Sequence, residues 1–460
     1  MIIRTLLTIG LLVLLAPGGT AMAEPPAVIE GTWSGVLELP SGDLRVVLEA
    51  RMTARGLEIE AFSPDQVETG LLADTAHYDK GVLSYSQSRL DGRYEGHWDE
   101  ARQAFSGTWT QHGQALPLAL RKGPPKPIER PQAPQPPFPY KAEDVVFANA
   151  AASGVSLAGT LTLPEGTGPF PAAILISGSG PNDRDETLFH HKPFAVIADA
   201  LTRRGIAVLR FDKRGIGGSK GAYASATTLD FASDAAAAVT YLRKRPEIDA
   251  GRIGLIGHSE GGLIAPLVAA DDARLAFLVL LAGSGVRGDE LLVAQNRALG
   301  QAGGMSTPAL LVAEAFTRKI YATIMGEPDD AKLKAALGLE LTLAGVPAAA
   351  RDAQIAGMVS PWLRSFLALD PAPTLAKLRL PVLALVGSKD LQVPADVNIP
   401  ALKATLAQDP QAKVEVVPDA NHLFQTATTG LPAEYGRITQ TMAPQVLTEI
   451  GDFVLAHSKP

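Results

Sequence analysis

The 460-residue sequence has no cysteine. That excludes disulfides, a thiolate metal site and a cysteine nucleophile, so stability must come from packed cores. Charge is sparse as well: 19% of residues are Asp, Glu, Lys or Arg, the formal net charge is −7, and no Lys/Arg-rich run stands out. Nucleic acid and anionic membrane surfaces are therefore not expected partners. Long apolar runs are missing too. Leu6–Leu15 is too short for the roughly 20 residues that a membrane span needs.

That run suits a different role. Arg4 supplies a positive start, Leu6–Leu15 an apolar middle, and Ala21-Met22-Ala23 a small-residue cleavage site before Glu24. Residues 1–23 are expected to be a cleavable signal peptide, which makes the mature protein periplasmic or secreted, without stable membrane insertion. What remains is 46% hydrophobic over the whole chain and long enough for two or three well-cored domains.

Residues 24–120 read as a small all-β domain. Alternating stretches at Trp33–Leu39, Leu44–Met52, Leu57–Phe62, Gly81–Gln87, Arg93–Trp98, Phe105–Thr110 and Ala115–Leu120 are separated by Gly and Asp-Gly breaks. The segment Gly31-Thr32-Trp33-Ser34-Gly35 echoes Ser106-Gly107-Thr108-Trp109-Thr110, as in a small barrel or sandwich whose first and last strands pair. Its aromatic residues suit a core better than a ligand surface. Residues 121–139 hold eight prolines and read as a stiff, extended linker.

From Tyr140 the pattern becomes strand–helix alternation. Val145–Ala148 and Leu157–Leu163 suggest an opening hairpin. Ala172–Ile176, Ile206–Phe211, Ile253–Ile256, Leu275–Leu281, Val382–Val386 and Lys413–Val417 are short apolar runs typical of buried parallel strands. With helical stretches such as Phe194–Arg204 and Ser233–Arg245 between them, they predict a doubly wound, mostly parallel α/β sheet. Residues from about 287 to 370 interrupt this rhythm with Ala/Leu-rich helices, a candidate cap over the C-terminal sheet edge.

One motif carries chemistry. Gly257-His258-Ser259-Glu260-Gly261 lies between the apolar run Ile253–Ile256 and the helix-compatible stretch Leu263–Ala270. Strand, sharp turn and helix form the frame of a nucleophile elbow, in which a strained backbone holds Ser259 clear of the sheet. A serine hydroxyl needs a base, and the base needs an orienting acid. Asp390 follows the strand Val382–Val386, and His422 follows Lys413–Val417, so both can meet over the elbow. Asp396 and Asp419 compete for the acid role, and a capping or turn role is the ordinary alternative for Asp390.

The tetrahedral intermediate also needs two N–H donors. Glu260, at the start of a helix, offers one. The loop Ser177-Gly178-Ser179-Gly180-Pro181-Asn182 offers the other, taken as Ser179. A phosphate-binding role for that loop is disfavoured by Pro181 and the run Asp183-Arg184-Asp185-Glu186. His190 and His191 with Asp183 and Asp185 lack metal-ligand spacing, so neither a metal nor another cofactor is expected. Asp212 and Arg214, after Ile206–Phe211, suit either substrate contact or the tying of loops together.

Taken together, Gly257–Gly262, Ser177–Glu186, Phe211-Asp212-Lys213-Arg214-Gly215-Ile216-Gly217-Gly218-Ser219, Asp390 and Asn421-His422 resemble the α/β-hydrolase superfamily. More narrowly, the chain resembles exported bacterial carboxylesterases with a β-rich N-terminal domain. Many relatives carry His-Gly where this chain has Ser177-Gly178. The resemblance implies a Ser259–Asp390–His422 carboxylic ester hydrolase acting on a small-molecule ester, often of short acyl chain. The alternatives are a serine peptidase or aminopeptidase, with Glu260 or Asp183 to anchor an amine, a thioesterase, and a non-catalytic binding protein.

Overall fold

The structure, a computed structural model, describes residues 29–39, 43–65, 70–126 and 129–458. The expected signal peptide at 1–23 lies outside the described residues. The chain forms two compact units, divided between residues 127 and 128.

The first unit is a single antiparallel sheet of nine strands: β1 (Gly31–Leu37), β2 (Leu44–Thr53), β3 (Gly56–Phe62), β4 (Leu71–Leu72), β5 (Thr75–Asp79), β6 (Val82–Gln87), β7 (Gly92–Asp99), β8 (Ala104–Gln111) and β9 (Gln114–Lys122). Their order is β4-β3-β2-β1-β9-β8-β7-β6-β5. The edge strands β4 and β5 are consecutive in the chain. Between them Ala73 N donates to Ile59 O of β3 and Asp74 N to Ser86 O of β6, each at 2.8 Å. One bent segment thus pairs with both edges, and among the described residues the sheet closes on itself as a barrel. The first and last strands do pair, with Ser34 opposite Arg121. The echoing Trp109 segment, however, lies in β8, one strand beyond. The interior is built from Trp33, Leu48, Ile59, Tyr94, Phe105 and their neighbours.

The second unit is an eight-stranded sheet: β10 (Lys141–Ala148), β11 (Ser156–Leu163), β12 (Phe170–Ile176), β13 (Ala207–Phe211), β14 (Ile248–His258), β15 (Leu278–Leu281), β16 (Val382–Gly387) and β17 (Lys413–Val417), in the order β10-β11-β13-β12-β14-β15-β16-β17. β10, β11 and β13 pair antiparallel; every other pairing is parallel. Helices α1 (Pro193–Thr202), α2 (Thr228–Leu242) and α3 (Gly261–Asp271) precede an insertion of five helices: α4 (Gly288–Ala302), α5 (Thr307–Gly326), α6 (Asp330–Leu343), α7 (Ala348–Met358) and α8 (Pro361–Ala368). After it come α9 (Ala372–Leu375), α10 (Ala395–Leu406) and α11 (Pro444–His457).

Helices α2, α3, α9 and α10 cover one face of the sheet, and α1 and α11 cover the other. Both faces of the central strands are buried, which is why they read as unbroken apolar runs. The inserted helices have a small core of their own around Ile320, Ile324, Leu333, Leu337 and Leu367.

The proline-rich segment departs from a plain spacer. Its first two residues, Arg121 and Lys122, belong to β9. Further along, Arg130 donates to the carbonyls of Phe189, Gly436 and Ile438 at 2.7–2.8 Å. Gln132 accepts from Thr441 N and donates to Met442 O. One turn bond, Ala133 N to Arg130 O at 2.9 Å, and these side chains hold residues 129–139 within the second unit.

Candidate active site

Strand β14 ends at His258 and α3 begins at Gly261, so Ser259 occupies the turn between them with φ +54°. A non-glycine residue in that left-handed region is strained. The flanking glycines make the turn possible: a Cβ on Gly257 would lie 2.0 Å from the Gly261 carbonyl oxygen, and one on Gly261 would lie 2.0 Å from that of Ile176. Ser259 N donates to Leu281 O at 2.8 Å, which anchors the turn to β15.

Ser259 faces a cavity of about 250 Å³ that His422 also lines. Leu291 and Leu292 of α4, with Trp362 and Phe366 of α8, supply much of its apolar wall. The inserted helices therefore shape the site.

His422 Nδ1 lies 2.9 Å from Asp390 Oδ2, and both side chains are buried. The other Asp390 oxygen accepts from the amides of Gln392 and Val393, each at 2.8 Å. One carboxylate oxygen thus fixes the loop after β16 and leaves the second for the imidazole. The competing acids are engaged elsewhere. Asp396 sits in the first turn of α10, and exposed Asp419 pairs with Lys389 at 3.0 Å. Asn421 Oδ1 accepts from Leu423 N and Gln425 N, which builds the turn that carries His422.

The expected N–H donors, Ser179 and Glu260, differ from their neighbour Gly178 in how they are used. Among the described residues neither Ser179 N nor Glu260 N bonds to a protein acceptor. Gly178 N, by contrast, is committed to Glu186 Oε1 at 2.5 Å. Asn182 Nδ2 holds the Gly178 and Ser179 carbonyls at 2.7 and 3.1 Å, so the loop presents its amides in a fixed arrangement.

The sequence did not reveal two features around the serine. The first is a second imidazole–carboxylate pair. Buried His258 has Nε2 2.9 Å from His422 O and Nδ1 3.0 Å from Glu186 Oε1. The latter contact is one of charge rather than an aligned hydrogen bond, since His258 Nδ1 and Glu186 Oε2 have no hydrogen-bond partner. Burial alone would favour the neutral imidazole. The Glu186 charge and the His422 carbonyl outweigh it, so His258 titrates above the ordinary histidine range. A polar residue closing an apolar strand was its one sequence signal.

The second is the fate of Glu260. Its Oε2 lies 3.1 Å from Lys213 Nζ, and its Oε1 accepts from Thr228 Oγ1 at 2.8 Å and Trp362 Nε1 at 2.7 Å. Lys213 Nζ also donates to Gly178 O at 2.6 Å. This carboxylate is enclosed by donors, so it is not available to an incoming amine. Asp183 likewise serves its own turn, accepting from Thr187 Oγ1 at 2.7 Å.

The remaining polar residues of these loops have partners of their own. Buried His191 has Nδ1 2.8 Å from Thr441 Oγ1, and Nε2 3.1 Å from Tyr435 O and 2.9 Å from Gln425 Nε2. Asp185 pairs with Arg210 at 2.7 Å. Arg214 is buried against Asp234, and Asp212 holds Arg184 and the Gly218 amide. Both tie loops together.

Comparison with known proteins gives this arrangement its family. The sequence model described as "Alpha/beta hydrolase family" matches residues 173–429, more than half of the chain. Esterase EstD of Thermotoga maritima is 30% identical over 282 residues, covering 61% of this chain. This chain in turn spans only 61% of EstD's length. Thiohydrolase aneE of Aspergillus aculeatus is 35% identical over 127 residues, 27% of this chain and 37% of its own. The Pyrococcus furiosus esterase Pf2001 overlays 73% of this chain and all of its own at 16% identity and a TM-score of 0.45. On the family match and the sheet that carries Ser259, the chain belongs to the α/β-hydrolase family.

Proposed function

We propose that the protein is a serine carboxylic ester hydrolase. The observation that carries this reading is the buried Asp390–His422 pair at 2.9 Å, lining the same cavity as a serine on a strained strand-to-helix turn. Ser259 Oγ attacks the ester carbonyl as His422 takes its proton, and the Ser179 and Glu260 amides donate to the oxyanion. The C–O bond then breaks, with His422 returning the proton to the departing alcohol. Water, deprotonated by His422, attacks the acyl-enzyme and releases the acid and Ser259. Asp390 holds the imidazole in the required tautomer and stabilises its cation.

The similarity to Esterase EstD supports ester cleavage. The small cavity, walled by Trp362 and Phe366, supports short acyl chains. A peptidase reading loses its amine anchors, because Glu260 and Asp183 are already bonded. We further propose export on residues 1–23, which N-terminal sequencing of the mature protein checks.

The test is turnover of p-nitrophenyl esters from acetate to a long acyl chain. Wild type is expected to favour the short esters. Ser259→Ala should abolish turnover without changing the melting temperature, and Asp390→Asn should lower kcat on the order of 10⁴-fold. Wild-type rates in Ser259→Ala would overturn the assignment. A large loss in Asp419→Asn but not Asp390→Asn would move the acid.

A further inference from the structure

The barrel of the first unit is filled unevenly. At one end Trp33, Trp98 and Phe105 meet with ring centroids 5.0–6.4 Å apart, and Tyr78 closes on Phe105 at 5.7 Å. That end is solid. At the other end, where β1, β3 and β8 finish, the inward residues are smaller. Leu37, Val46, Ala61 and Leu116 help to enclose a cavity of about 380 Å³. Small-molecule pockets run from roughly 300 to 1,000 Å³, so this one suits a compact ligand.

Its polar groups are few and incompletely used. Tyr85 lines the cavity and is 3% exposed, with its ring against Tyr94 and Trp109 at 5.6 and 5.8 Å. Among the described residues its hydroxyl bonds to nothing. Burial of the ring keeps the phenol protonated, so its hydroxyl is free to donate to a ligand in the cavity. Nearby, buried Gln87 is fixed by donating from Nε2 to Leu71 O at 2.6 Å. Its carbonyl oxygen accepts from no described group. None of the described residues lining the cavity is charged, so a carboxylate or ammonium would be desolvated there without compensation.

We propose that this cavity is a binding site for a neutral, compact apolar molecule bearing one oxygen acceptor, to which the Tyr85 hydroxyl donates a hydrogen bond. The aromatic walls of Tyr85 and Trp109 favour a flat body. No residue of the proposed triad takes part, so the site stands or falls independently of the esterase reading.

Prodan, a neutral naphthyl ketone whose emission shifts to the blue in apolar surroundings, tests this on the full chain. Saturable, single-site binding with blue-shifted emission is expected. Tyr85→Phe should weaken it about five-fold, the loss of one hydrogen bond, while leaving the melting temperature unchanged because the hydroxyl has no protein partner. Ala61→Leu, which fills the cavity, should weaken binding more than ten-fold; if that variant fails to fold, Tyr85→Phe decides alone. Leu292→Trp, which narrows the separate cavity beside Ser259, should leave binding unchanged. No saturable binding, wild-type affinity in Tyr85→Phe, or binding lost only in Leu292→Trp would each overturn the proposal.

Discussion

Glu260 shows how closely residue identity is tied to place. It follows the nucleophile candidate, yet its carboxylate points away into a buried cluster with Lys213, Thr228 and Trp362. Glu260→Gln would leave the Lys213 ammonium in the interior without a counter-charge, beside Gly178 O and the face of the Phe231 ring. We expect a loss of roughly 3 kcal/mol in urea unfolding, largely recovered by adding Lys213→Met. An unchanged midpoint would mean that Lys213 finds other compensation. Ser259, Asp390 and His422 were legible because motif, chain order and position after strands are properties of sequence. Glu260's partners were not: Trp362 lies 102 residues away, and nothing local in either segment announces the pair. Glu186 and His258 escaped for the same reason, as an acidic loop residue and a variable motif position that only folding brings together.

Among the elements, α8 is where the inserted helices reach the cavity beside Ser259. Trp362 walls the Ser259 cavity, stacks on Phe366 at 5.1 Å and bonds Glu260 through its indole N–H. Trp362→Phe keeps a ring in the wall and removes the bond. It should raise KM for the preferred ester about three- to ten-fold with a smaller effect on kcat, as expected when a pocket wall loosens. Steady-state kinetics check this, and an unchanged KM would show that packing alone holds α8. The parallel strands were readable because burial on both faces makes them continuously apolar. Strands β4 and β5 were not, since one is two residues long and the other turns only Ala76 and Tyr78 partly inward. Helix α2 begins at Thr228, five residues before the sequence suggested, because a capping box between Thr227 and Asp230 sets its start. That Thr-x-x-Asp signal was present but lay outside the apolar periodicity.

For the whole molecule, acid stability has an identifiable source. His191 is pushed down to about 4, first by burial and then by the Arg130 charge, with a smaller contribution from His190. A histidine whose folded value lies below its unfolded value of about 6.5 stabilises the fold above that pH and loses the contribution as pH falls towards 4. His258 has the opposite sign: its contribution is full below about 6.5 and fades as pH rises through its higher folded value. Melting temperature should therefore fall between pH 7 and 4.5, and His191→Gln should flatten that slope whatever its effect on absolute stability. An equal slope in the variant would assign the loss to carboxylates. Arg130 has a further consequence, for where the chain can be cut. Composition changes at Tyr140, but the cohesive boundary lies between residues 127 and 128. A chain beginning at residue 140 loses the guanidinium that bridges Phe189 to Gly436 and Ile438, and with it the clasp between two loops of the second unit. Such a chain should be less stable and less active than one beginning at residue 128, and assays of both would reveal it. Without that comparison, a second unit damaged at its own clasp would be mistaken for one that depends on the barrel.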